Sequence, residues 1–123
     1  MNADKRYIRP LTEWEMQLKL IKCLLSKPFL GRDELLEQAS HAAASQVDEN
    51  GGLYLKTLSE KKAPVKHRVP VEGWAPDIDG VLIHYLLFVD DDGKVCHFDV
   101  FKEDGSRVQR HAKPEELELL IMG

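Results

Sequence analysis

The clearest pattern of hydrophobic and polar positions lies in the second half of the chain. An apolar-rich run from Val81 to Val89 leads into Asp90-Asp91-Asp92-Gly93, and a second β-prone run extends from Val95 to Phe101. Asp-Gly between two such runs is typical of a β-hairpin, because the turn needs a positive φ that glycine adopts without steric cost. The pattern predicts a long hairpin with a type I′ turn centred on Asp92 and Gly93.

Helical spacing of apolar residues dominates the N-terminal third instead. Thr12 to Glu15 has the form of a capping box, and apolar residues then recur every three or four positions through Leu25. Pro28 ends this helix, since the residue before a proline avoids helical torsions. A second, shorter helix is expected from about Asp33 to Ser40. Two helices with a short linker predict a helical hairpin whose apolar stripe packs on a sheet.

A second hairpin signal stands in the middle of the chain. Asn50-Gly51 separates two β-compatible runs, Ala43 to Asp48 and Leu53 to Leu58. Because alanine favours helix, the alternative is that the second helix continues to about Ser45 and leaves only a short return strand.

Residues 59–79 form a long connection that contains three of the six prolines. Proline lacks a backbone donor, so a strand here, near Val69 to Val71, is expected only at a sheet edge. Near the C-terminus, Lys113 to Glu116 has the composition of a helix start, which would dock Leu117, Leu120 and Ile121 on the core.

Together these elements predict one α+β domain over residues 1–123. Its architecture is an N-terminal helical hairpin packed on an antiparallel sheet of four to five strands, followed by a short C-terminal helix.

Composition narrows the classes of function. The chain is 43% hydrophobic and 31% charged with a net charge of -4, which is typical of a soluble globular domain. It lacks the basic excess that duplex binding needs, so we expect no nucleic-acid partner. No apolar stretch is long enough to cross a bilayer and the N-terminus lacks a signal-peptide core, so we expect no membrane partner and a cytoplasmic location. Cys23 and Cys96 read as buried structural side chains rather than nucleophiles.

Charge is distributed unevenly along the chain. Residues 77–104 hold eight acidic and two basic residues, a local charge of -6, which would attract a cationic macromolecule. The alternative explanation is that aspartate and glycine gather at turns because they tolerate turn torsions. The candidate partner-binding residues are Asp77, Asp79, Asp90, Asp91, Asp92 and Glu103, with Trp74 as an aromatic anchor. The acids lack the full ligand series of a calcium loop, so no metal and no cofactor is expected.

The predicted hairpin suggests an alternative chemistry. A turn at Asp92 and Gly93 would place His84, His97 and Asp99 on one face of the hairpin, within reach of acid-base chemistry. A register slip of one residue would separate them. No nucleophile or phosphate-binding glycine loop accompanies them, so we expect a protein that is not an enzyme, with a small enzyme or ligand-binding domain as the alternative.

Short motifs along most of the chain resemble a family of small uncharacterised bacterial proteins, a domain of unknown function. The motifs are Asp79-Gly80-Val81, Asp90 through Gly93, Phe98-Asp99-Val100-Phe101-Lys102, Arg9-Pro10-Leu11 with Glu13 or Glu15, and Gly51-Gly52-Leu53. The lysine-rich segment 59–68 and the alanines 42–44 depart from the pattern.

By analogy of class, the resemblance implies a small acidic protein of the kind that includes toxin-immunity proteins. We therefore expect a non-enzymatic protein-binding module, and specifically an immunity protein that uses its acidic surface to neutralise a cognate toxin with a basic surface. A third alternative is an oligomerisation domain whose exposed apolar edge pairs with itself, and the oligomeric state stays open.

Overall fold

The computed structural model describes residues 8–122, which form one antiparallel sheet with two short helices. In chain order the strands are β1 (Arg9–Pro10), β2 (Ala42–Gln46), β3 (Leu53–Thr57), β4 (His67–Arg68), β5 (Val71–Pro76), β6 (Leu82–Val89), β7 (Val95–Lys102) and β8 (Glu118–Ile121). The helices are α1 (Glu15–Leu24) and α2 (Arg32–Ser40), and 3-10 turns occupy Leu11–Glu13 and Pro114–Glu116.

The strands follow the order β1-β2-β3-β7-β6-β5-β8 across the sheet, and β4 also pairs with β6. Strands β4 and β5 lie in succession along the same edge of β6, so they act as one strand that is interrupted near Pro70. Every neighbouring pair is antiparallel.

Both helices pack on one face of this sheet. Helix α1 contacts β5 and β6, while α2 contacts β7. Alternate residues of β6, namely Ile83, Tyr85 and Leu87, are fully buried beneath them in a single hydrophobic core. Because successive strand residues point to opposite sides, the remaining positions form a second face on which neither helix packs. We call this second side the uncovered face.

The predicted hairpin is present with the predicted register. Phe88 pairs with His97, Leu86 with Asp99 and His84 with Phe101. The turn type was predicted wrongly: of its residues only Gly93 has a positive φ, whereas a type I′ turn needs two. Instead the N–H of Gly93 bonds to the carbonyl of Asp90 at 3.0 Å, and a bulge after Phe88 restores the register.

The predicted fold class was wrong in its balance of helix and sheet. The sheet has eight strands rather than four or five, and the two helices each lie on the sheet instead of forming a hairpin. The proline argument failed because Pro70 precedes β5 and Pro76 is its last residue. Neither removes a donor from the middle of the strand, and β5 is therefore an interior strand between β6 and β8.

The predicted C-terminal helix is also wrong. Its expected start is only the 3-10 turn at Pro114–Glu116, after which the chain extends as β8 and pairs with β5. Leu117 and Leu119 pack against the core, whereas Leu120 and Ile121 stay about half exposed. The alternation at 117 and 119 suits a strand, and pairing with β5 satisfies backbone groups that a helix would satisfy internally.

Some of the remaining predictions about local elements are confirmed and others are wrong. The Asn50-Gly51 hairpin is confirmed by the β2 to β3 pairing, so the alternative extension of α2 was wrong. Helix α2 lies where it was expected. The capping box was wrong, because α1 begins at Glu15 without a side-chain cap and Thr12 lies in the preceding 3-10 turn. The domain prediction also included residues 1–7 and 123, which lie outside the described part.

Candidate functional site

Two rows of side chains cross the strands on the uncovered face, and most of their members are aromatic residues or histidines. The first row consists of Glu118, Trp74, His84 and Phe101, each paired with the next across β8, β5, β6 and β7. The second row consists of Arg68, Phe88, His97, Tyr54 and Ser45, across β4, β6, β7, β3 and β2.

Neighbouring rings in both rows are in contact at three places. His84 stacks on Phe101 with ring centroids 5.1 Å apart. In the other row, the ring of His97 lies 5.8 Å from that of Phe88 and 5.5 Å from that of Tyr54. Cross-strand aromatic pairs of this kind stabilise a sheet and also present flat apolar surface to solvent.

Two carboxylates lie between the aromatic rows. Asp99 pairs with Leu86, and Glu72 pairs with Leu120 on the edge strand. Both acids are partly buried, and neither forms a hydrogen bond or ion pair with the part of the chain that the structure describes. Leu86 is only 8% exposed although it faces away from the helices, so its neighbours on the uncovered face shield it. The result is an acidic band bordered by aromatic rings.

The three residues of the predicted acid-base site do share this face, as the register required. His84 is hydrogen bonded to Glu103 at 2.8 Å, while His97 lies between two aromatic rings. Within residues 8–122 no hydrogen bond joins any two of His84, His97 and Asp99. Their use in catalysis or ligand binding stays a prediction.

Asp77 is the most buried of the predicted partner-binding acids. Its side chain is inaccessible and lies 3.2 Å from the equally buried ammonium of Lys102. Burial opposes ionisation, but hydrogen bonds from the backbone N–H groups of Gln109, Ile78 and Arg110 and from Lys102 outweigh it and lower the pKa of Asp77 to about 2. Asp77 therefore holds the segment around residue 110 against the sheet.

Asp79 forms an ion pair with the same lysine, Lys102. Its carboxylate accepts a hydrogen bond from Lys102 at 2.5 Å, which lowers the pKa of Asp79. An ion pair inside the domain thus neutralises part of the negative charge that the sequence indicated.

The other acids lie in two separate places. Asp90 closes the hairpin turn by accepting the N–H groups of Asp92 and Lys94, and Asp91 and Asp92 are exposed beside it. Glu103 follows β7 at the opposite end of the eight-residue strands, roughly 26 Å away at about 3.3 Å per residue. The acids do not form one surface, and their role in partner binding stays a prediction.

Trp74 was placed in a loop by the sequence but lies within β5, half-buried in the first aromatic row. Sequence reasoning did not select Tyr54, Phe88 or Phe101 as site residues. The alternation of Leu53, Tyr54 and Leu55 carried the missing signal, because it separates core positions from positions on the opposite face.

Other chemistry is sparse in the described residues. No group of three or more His, Cys, Asp or Glu side chains between residues 8 and 122 is placed to hold a metal ion. Burial raises the pKa of the thiols of Cys23 and Cys96, and neither forms a disulfide. None of the described helices has the length and apolar character needed to cross a membrane.

A comparison with protein families gives one match. Residues 8–112 match the family model described as "Domain of unknown function (DUF6984)", which confirms the predicted likeness to an uncharacterised family and leaves the toxin-immunity analogy untested. No curated protein and no solved structure matches the chain.

Proposed function

The chain belongs to the DUF6984 family, and we propose that it is a non-enzymatic protein-binding module that receives its partner on the uncovered face of the sheet. The observation behind the proposal is the acidic band of Asp99 and Glu72 between two rows of aromatic side chains. Clustered aromatic residues on an exposed sheet are the kind of side chain that dominates the binding energy of protein interfaces.

Charge indicates the chemistry of that partner. The carboxylates of Asp99 and Glu72 have no partner among the described residues and are partly removed from water, so a cationic side chain would gain more from pairing with them than with a fully solvated acid. The rings on either side offer faces for cation–π contact with arginine or lysine. Arg68 ends the second row on the same face, so a protein partner with basic side chains fits the part of this surface around Asp99 and Glu72.

The immunity hypothesis is the specific form of this proposal. A cytoplasmic immunity protein would use the uncovered face to cover the basic surface of a cognate toxin. The exposed acids Asp91 and Asp92, at the hairpin turn, would add long-range attraction and accelerate association. Lys62 and Lys66 line the same groove as these two acids and reduce that attraction.

The test is a titration of the purified protein with the product of the neighbouring gene, followed by calorimetry. Tyr54→Ala and Asp99→Asn change the uncovered face, and each should weaken the complex about tenfold, which corresponds to about 1.4 kcal/mol. Ile78→Ala is the matched control, because Ile78 is 66% exposed in the turn before β6. It should leave the affinity unchanged.

Two results would overturn parts of the proposal. A complex that tolerates both face variants but is lost in the double variant Asp91→Asn, Asp92→Asn would move the binding site to the hairpin turn. Failure to bind the neighbouring gene product would remove the immunity form, and cell fractionation tests the cytoplasmic location separately.

A further inference from the structure

The outer strand β8 leaves one side of the sheet open. It has a single neighbour, β5, and it is the last strand in the sheet order among residues 8–122. The opposite edge is different, because β1 covers part of β2 and contributes Pro10 to that edge. Exposed edges are commonly protected by lysine, proline or bulges, whereas β8 reads Glu-Leu-Leu-Ile and has only its first residue charged.

The backbone of β8 shows which groups are free. The N–H of Met122 bonds to the carbonyl of Pro70 at 2.8 Å. Hydrogen-bonded positions alternate along an antiparallel pair, so Leu120 and Glu118 also direct their backbone groups toward β5. The N–H and C=O groups of Leu119 and Ile121 therefore point outward, away from the sheet.

We propose that β8 pairs with β8 of a second copy of this chain, in an antiparallel two-fold arrangement that joins the two sheets edge to edge. With the axis at Leu120, each Leu119 lies opposite Ile121 of the other copy. This register gives every outward donor and acceptor of these two residues a partner, which makes four backbone hydrogen bonds.

The side chains suit a second copy as the occupant. Leu120 is 50% exposed and would meet its own counterpart at the axis, and Ile121 is 48% exposed. Glu118 would lie opposite Met122 of the other copy, so the two acidic side chains are kept apart. An open groove adjoins this end of β8, and its lining is apolar apart from Arg68, with Phe29, Leu30 and Met122 among the apolar side chains.

The size of the interface predicts a weak dimer. Four residues a side, with the adjoining groove, fall below the roughly 1,200 Å² of a standard interface, so association should depend on concentration. This inference does not depend on the proposed binding site, because edge pairing needs neither Asp99 nor the aromatic side chains of the two rows. A dimer of this form would present two uncovered faces side by side on one continuous sheet.

The test is sedimentation of the full chain over a range of concentrations. The mean mass should rise from the monomer value of 14.0 kDa toward twice that value. Leu120→Lys places two like charges at the axis. This variant should keep the monomer mass at a concentration tenfold higher than the one at which the wild-type mass begins to rise. Ile121→Pro removes an outward N–H without touching the ladder to β5, and it should have the same effect. Ile78→Lys, an equally drastic change at an exposed residue away from the edge, is the control and should behave as the wild type.

Circular dichroism shows whether each variant folds. The two edge variants act through different atoms, a side chain in Leu120→Lys and a backbone N–H in Ile121→Pro. If one of them fails to fold, the other still tests the proposal. A wild-type mass that stays at the monomer value up to millimolar concentration would overturn the proposal. So would a dimer that persists in both edge variants, or one that is lost in Tyr54→Ala, since Tyr54 lies on β3, four strands away from β8 in the sheet order.

Discussion

Replacing Gln38 by methionine should destabilise the domain more than any other conservative change in α2. The side chain of Gln38 is completely buried. Its Nε2 donates hydrogen bonds to the carbonyls of Lys61 and Gly93, at 2.8 and 2.7 Å, and its Oε1 accepts the N–H of Val95 at 2.7 Å. One amide group therefore ties a helix to the hairpin turn and to the 59–66 segment.

The expected loss of stability depends on which hydrogen bonds each former partner of Gln38 would keep in the variant. The carbonyl of Gly93 still accepts the N–H of Ala63 at 2.9 Å, and the carbonyl of Lys61 is near solvent. The N–H of Val95 is buried, and the loss of its acceptor Gln38 Oε1 costs about 1–3 kcal/mol. With about 1 kcal/mol for each of the two other hydrogen bonds, Gln38→Met should lower the free energy of unfolding by about 3–5 kcal/mol. A domain of this size has about 5–15 kcal/mol in total.

Urea denaturation at neutral pH measures this loss, and the slope of the transition should stay unchanged. Gln46→Met is the matched control, since Gln46 is exposed and makes one hydrogen bond, to the carbonyl of Asp48. The control should cost less than about 1 kcal/mol. If Gln38→Met costs no more than the control, the argument that this buried amide holds the turn is refuted.

Three further outcomes are expected. In urea unfolding, Gly93→Ala should destabilise the domain more than Gly105→Ala. Both glycines have a positive φ, but only at Gly93 would the new Cβ meet a backbone carbonyl, at an impossible 2.2 Å. Equal losses of stability in the two variants would contradict this. Since the pKa of Asp77 is lowered to about 2, the stabilisation by its ionised carboxylate is complete above about pH 4 and is lost as the pH falls toward 2. Asp77→Asn should therefore flatten the dependence of the unfolding free energy on pH between about 4 and 2. If that dependence is unchanged in the variant, other acids cause it. Burial raises the pKa of Tyr85 to about 12, so stability should fall as the pH rises above about 10, and Tyr85→Phe should remove the latest phenolate step in an ultraviolet titration.

The candidate site was predictable in part. The register of the β6 to β7 hairpin was predicted correctly from strand alternation, and although the turn differs from the predicted one, the bulge after Phe88 keeps His84, His97 and Asp99 on one face. The rows that extend these residues were not predicted, because Tyr54 comes from a strand distant in sequence and because the proline-containing segment that carries Trp74 was taken for a loop. Pairing between distant strands depends on the whole core, and no local pattern reports it.

Charge gave the least reliable guide to the site. Eight acids in one segment suggested one negative surface, but the fold separates them along the hairpin and buries Asp77 and Lys102 together. A sequence lists charges without their partners. Whether an acid attracts a foreign molecule depends on the cation that the fold places beside it.

The sequence alone determined the local elements of this protein: two helices, the positions of two hairpins, and the register of the longer hairpin. These follow from periodicity and from the torsions of glycine and proline, which act over a few residues. Tertiary structure decided that β5 is an interior strand and that the C-terminal segment becomes β8. Both outcomes arise because β5 offered an unpaired edge beside the core, and a backbone that pairs there satisfies its hydrogen bonds while it buries Leu119.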